Sequence, residues 1–142
     1  PVEVLLVEDN VADVLITQEA FKESRLLNTL HVVVDGEQAL AFLRHEPPYT
    51  EKPRPDLIML DLNLPRKSGR EVLAAIKADP ALQTIPVVML TTSHAEEDIL
   101  NTYHLHANCY IVKPFDFEAF VRVVQAIHEF WFSIVTLPEA TP

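Results

Sequence analysis

The side chains with complementary chemistry stand where apolar runs end. Glu8 and Asp9 follow VEVLLV (2–7), Asp61 follows PDLIML (55–60), Thr91 closes PVVMLT (86–91) and Lys113 closes CYIVK (109–113). A carboxylate is costly to bury, so an acid at the end of such a run is a helix cap or a chemical group. One acid alone reads as a cap. Separate runs delivering acids, a hydroxyl and an amine to the same edge read as a site. Two like charges ~4 Å apart at an effective dielectric near 20 repel by ~4 kcal/mol, so clustered carboxylates call for a cation. Oxygen donors favour a hard divalent ion, and Mg2+ fits better than calcium because it accepts one or two carboxylates plus water and phosphate oxygens. Lys113 adds a mobile positive charge, and Thr91 a hydroxyl donor for an oxygen that arrives later.

These groups need a scaffold that brings strand ends together. The runs at 2–7, 29–34 (TLHVVV), 55–60, 86–91 and 109–113 are apolar nearly throughout, as parallel strands covered on both faces must be. Helical patterns alternate with them, which predicts an α/β fold with a doubly wound, five-stranded parallel sheet. In such sheets ligands bind beyond the carboxyl ends of the strands. Helix starts are marked by pairs that resemble capping boxes: Asn10 with Asp13, Asp35 with Gln38, Ser68 with Glu71, and Ser93 with Glu96. Asp116 caps the last helix. The proline-rich stretch EPPYTEKPRP (46–55) reads as a loop and not a linker, because neither side could stand alone.

The 142 residues therefore form one domain, 1–142. A net charge of −10 argues against nucleic acid and against an anionic membrane surface. The single cysteine, Cys109, suits a reducing compartment. With no signal peptide and no apolar run of membrane-spanning length, a cytoplasmic location is expected.

The motifs VEDN (7–10), DLNLPRKSG (61–69), MLTTS (89–93) and YIVKPF (110–115) together resemble the receiver domain of two-component response regulators, from about Val2 to the end of the last helix. The resemblance implies a flavodoxin-like (βα)5 fold, strand order 2-1-3-4-5, and a switch that is not an enzyme beyond assisting its own phosphorylation and dephosphorylation. It implies that Asp61 accepts a phosphoryl group from the histidine of a sensor kinase. Asp9 and Asp61 would hold Mg2+ by their side chains, Asn63 by its backbone carbonyl, and Glu8 through a water. Lys113 and Thr91 would contact the phosphoryl oxygens. Tyr110 matches the switch aromatic, and the signal would reshape the surface around the helix before the fifth strand, that strand, and the last helix. The Lys113–Pro114 bond matches one that is usually cis. Thr92 stands where many receivers carry a smaller residue, and its bulk is expected to slow attack at Asp61. Glu8 replaces an aspartate common in the family.

Residues 116–137 form an extended C-terminal helix with an apolar arc of roughly 220°, more than one sheet face uses. Phe117, Phe120, Val121, Val124, Trp131 and Val135 make one stripe. Val123, Ile127, Phe130, Ile134 and Leu137 widen it. We expect a homodimer interface there, with Val123, Phe130, Trp131, Phe132, Ile134 and Leu137. The ending HEFWFSIVTLP and the 46–55 loop resemble single-domain regulators paired with cyanobacterial phytochromes, which implies a phytochrome as the kinase partner.

Rival readings fit less well. His104, His106 and Cys109 lack the spacing of a zinc site. A Mg-dependent aspartate-nucleophile phosphatase needs an acid two residues after the nucleophile, where Asn63 stands. A flavodoxin-type carrier needs a phosphate loop after the first strand, where VEDNVAD (7–13) would repel phosphate in the absence of metal.

Overall fold

Val4, Leu5, Leu6 and Val7 are all fully buried, which is possible only if both faces of their strand are covered. In the computed structural model, residues 2–23, 28–91, 107, 109–113 and 117–128 are described. The elements are β1 (Val2–Val7), α1 (Val11–Lys22), β2 (Asn28–Val33), α2 (Gly36–Leu43), β3 (Leu57–Asp61), α3 (Gly69–Ala78), β4 (Val87–Thr91), β5 (Cys109–Val112) and α4 (Phe117–His128). All five strands run parallel in the order β2-β1-β3-β4-β5. Among the described residues, no helix is long and apolar enough to cross a membrane.

Alternation along each strand builds two cores. Leu5, Val7, Ile58, Leu60 and Met89 face α2 and α3, where Phe42, Val72, Leu73 and Ile76 meet them. Val4, Leu6, Met59, Val88 and Leu90 face Ala20 and Phe21 of α1, and Phe120 and Val124 of α4. This is the doubly wound sheet expected from the apolar runs.

Three of the expected caps form. Asn10, Asp35 and Ser68 accept from the backbone N–H of Asp13, Gln38 and Glu71. Helix α2 ends in a left-handed residue, His45 at φ 56°. The N–H of His45 donates to Phe42 O and that of Glu46 to Ala41 O, which supplies partners for two carbonyls of the last turn. The 46–55 stretch is a loop, as expected. Tyr49 packs on Phe42, ring centroids 5.5 Å apart. Arg54 donates to Ala81 O and to Thr84 Oγ1. A cis bond joins Pro47 and Pro48.

Strand boundaries shift by a residue or two from those read in the sequence. The shift matters at β3, which starts at Leu57 and extends through Asp61. Asp61 is thus held by the ladder itself, paired with Leu90. Several expectations lie outside the described residues: the Ser93 and Asp116 caps, Thr92, His104, His106, Pro114, and the interface residues Phe130, Trp131, Phe132, Ile134 and Leu137.

Candidate functional site

Sheet register sets the site. Val7 pairs with Leu60, so Glu8, one residue on, comes level with Asp61. Thr91 pairs with Val112, so Lys113 follows immediately beyond it. The N–H of Lys113 donates to Thr91 O at 2.6 Å, which ties the end of β5 to the end of β4. Acids from β1 and β3 and a lysine from beyond β5 therefore reach the same carboxyl edge.

The carboxylates of Glu8, Asp9 and Asp61 each offer an oxygen within 4.8 Å of the other two. Glu8 and Asp61 are buried and Asp9 is exposed, so the trio opens to solvent on one side. An all-oxygen donor set of this kind suits a hard divalent cation. Asp61 is steadied by the N–H of Asn63, which donates to its Oδ1 at 3.2 Å. The loop that follows folds back tightly, with Gly69 N–H donating to Leu62 O. Thr91 is buried at the end of β4, and Tyr110, the second residue of β5, packs half-buried against the core beneath α2 and α3.

Lys113 is buried and meets three acids. Its Nζ lies 2.5 Å from Glu8 Oε2, 2.7 Å from Asp13 Oδ2 and 3.3 Å from Asp61 Oδ2. Burial alone would depress the ammonium, but hydrogen bonds to Asp13 and Glu8, together with Asp61, hold it above the ordinary lysine value. Burial pushes the Glu8 carboxyl up to about 7 against the pull of Lys113, and neighbouring Asp61 adds to the rise. Independently of that shift, four carboxyl groups, Glu8, Asp9, Asp13 and Asp61, gather around one ammonium. An excess of carboxylate oxygens over cationic partners is what a divalent cation would relieve.

Of the residues singled out in the sequence, Glu8, Asp9, Asp61 and Lys113 converge, and Asn63 donates its N–H to Asp61. Thr91 ends β4 one residue beyond the partner of Asp61, and Tyr110 lies farther back, level with Met89. Val123 lies apart on α4, 36% exposed. One residue was misread. Asp13 looks like the second half of a cap, yet its carboxylate serves Lys113. Its local sequence offers only the cap reading, because the partner of its carboxylate comes from the far end of the sheet.

An open sheet that gathers acids at the β1–β3 crevice and reaches them with a buried lysine has the architecture of a phosphorylation-dependent signalling domain. The family model described as "Response regulator receiver domain" matches residues 4–125, and the chain belongs to that family. It is 50% identical to the response regulator Rcp1 of Synechocystis sp. over 99% of this chain and 95% of that one. The crystal structure of the phosphorylated cyanobacterial phytochrome response regulator RcpA superimposes with a TM-score of 0.88, at 51% identity over 96% of this chain and 98% of the other. The Mn2+-bound form of Rcp1 gives 0.88 at 50% identity, over 98% and 100% of the two chains. The chain is thus a two-component signalling domain, homologous to phytochrome response regulators, with an acidic cluster able to hold a divalent metal. The phosphatase and flavodoxin readings fall away with the family assignment.

Proposed function

We propose that Asp61 takes a phosphoryl group from the phosphohistidine of a sensor kinase, and that the chain, as one receiver domain, relays the signal through protein contacts. The observation that carries this is the convergence of Glu8, Asp9 and Asp61 around one point, with Lys113 3.3 Å from Asp61. A carboxylate oxygen of Asp61 attacks phosphorus. The phosphorus–nitrogen bond breaks, and its electron pair stays on the kinase imidazole, which then takes a proton. Asp9, Asp61 and the Asn63 carbonyl would hold Mg2+, with Glu8 acting through water; bound there, the ion neutralises developing negative charge. Lys113 neutralises a further phosphoryl oxygen, and the Asn63 N–H keeps Asp61 aimed.

Once formed, the acyl phosphate carries nearly two negative charges. The hydroxyl of Thr91 is drawn toward it, Tyr110 turns into the vacated space, and the surface around β5 and α4 changes packing. Asn63 stands where an aspartate-nucleophile phosphatase carries its acid, two residues past the nucleophile, so that position supplies no proton, and we read the chain as assisting only its own phosphorylation and dephosphorylation.

A phytochrome is our reading of the kinase partner, supported by the phytochrome regulators among the relatives. We place the chain in the cytoplasm beside the kinase domain. We also read the last helix as a homodimer face, because Phe117 and Val123 remain 37% and 36% exposed on α4. Incubation with acetyl phosphate, with and without Mg2+, tests the central step. Intact mass should show one added phosphoryl group on wild type with Mg2+, and none on Asp61→Asn. Equal labelling of both would overturn the assignment.

A further inference from the structure

Asp13 is the third residue of α1, where an acid normally turns back to the N–H of the capping residue. Here that N–H, from Asn10, donates to Glu8 Oε1 at 3.1 Å. The backbone of Asp13 is pinned on both sides: its N–H donates to Asn10 Oδ1 at 3.0 Å, and its carbonyl accepts from Thr17 Oγ1 at 2.8 Å. The carboxylate is thereby set on a rigid mount and extended to Lys113 Nζ, 2.7 Å away. An ammonium has three protons to give. The structure directs them to Glu8, Asp13 and Asp61, and Asp61 has the longest contact at 3.3 Å.

We propose that Asp13 is a positioning residue that divides Lys113 between α1 and Asp61. By drawing the ammonium toward α1 it leaves Asp61 more available to a cation. By the same pull it weakens the hold of Lys113 on a group added to Asp61, to which its own negative charge is also unfavourable. Asp13 therefore sets the balance between cation affinity and phosphoryl affinity. This inference rests on the reading of Asp61 as the phosphoacceptor.

The idea predicts changes of opposite sign, which loss of structure cannot produce. Asp13→Asn keeps the backbone hydrogen bonds and the shape but removes the charge. Mg2+ is titrated by calorimetry, and beryllofluoride, a phosphoryl mimic, is titrated at saturating Mg2+. In Asp13→Asn, Mg2+ should bind about three-fold more weakly and beryllofluoride about five-fold more tightly. Asp13→Glu, which restores the charge, should move both values back toward wild type. In a Lys113→Met background the Asp13→Asn change should no longer tighten beryllofluoride by the full factor, because its effect runs through the lysine.

If both ligands weaken together, Asp13 is only a structural support and the proposal fails. Unchanged affinities overturn it as well. If wild type with Mg2+ binds no beryllofluoride, the phosphoacceptor reading falls and takes this one with it. Binding by wild type without the split removes the present inference alone.

Discussion

Gly69 lies directly against the backbone of Asp61: a Cβ added to Gly69 would sit 2.2 Å from Asp61 O and 2.8 Å from Leu62 Cα. Gly36, the only other glycine in the chain, meets the same loop, with Lys67 O 2.2 Å from its imagined Cβ. Both glycines thus permit close approach to the 61–69 loop that carries the acidic residue at its start. Backbone atoms cannot yield to a methyl as a flexible side chain can. Gly69→Ala should cost about 2–3 kcal/mol in urea unfolding and should also weaken Mg2+ binding, because the strain falls on Asp61. A stable Gly69→Ala protein with wild-type Mg2+ affinity would show that the contact is dispensable.

Mg2+ should stabilise the fold by mass action. At a concentration of about 100 times its Kd the gain is about 2.7 kcal/mol, read as a rise in melting temperature. Asp9→Asn removes a ligand from the exposed side of the trio. It should abolish the Mg2+-dependent rise while leaving the metal-free melting temperature within a degree or two of wild type. Retention of the full rise would exclude Asp9 from the metal site.

Stability of the metal-free protein should depend on pH through Glu8, whose carboxyl is pushed up to about 7 by burial. Its folded value exceeds the unfolded one, so the folded state binds the proton more tightly. The contribution is fully present below the unfolded value, near 4.5, and is lost as pH rises toward 7. Between those limits the slope from this group is at most about 1.4 kcal/mol per pH unit. In chelator-treated samples, Glu8→Gln should flatten that part of a denaturant-midpoint profile. A profile for Glu8→Gln that keeps the wild-type slope would assign it to another group.

The dimer reading makes its own demand on α4. Phe120 and Val124 are consumed by the core, whereas Val123 is turned outward. Val123→Glu should shift sedimentation at micromolar concentration from dimer to monomer, with acetyl phosphate labelling of Asp61 unchanged. A wild-type protein that sediments as a monomer, with and without beryllofluoride, would remove the interface.

Much of this architecture follows from local rules that act within a few residues. Uninterrupted apolar runs force strands with two covered faces, and Asn10, Asp35 and Ser68 cap helices because their short side chains reach N–H groups three residues on. The acids at the ends of β1 and β3, and the lysine after β5, could be picked out for the same reason: an ionisable group ending a buried run is conspicuous. The tertiary structure decided what those groups hold. Asp13 reads locally as a helix cap, yet Lys113, a hundred residues away in the chain, claims its carboxylate, while Glu8 takes over the N–H that the cap would have served. The roles of Gly36 and Gly69 were equally hidden, since what a missing Cβ admits depends on which backbone comes to lie beside it. Hydrogen bonds within a turn are written in neighbouring residues. Coulomb partners and close backbone contacts between distant segments exist only once strand order and register have brought those segments together.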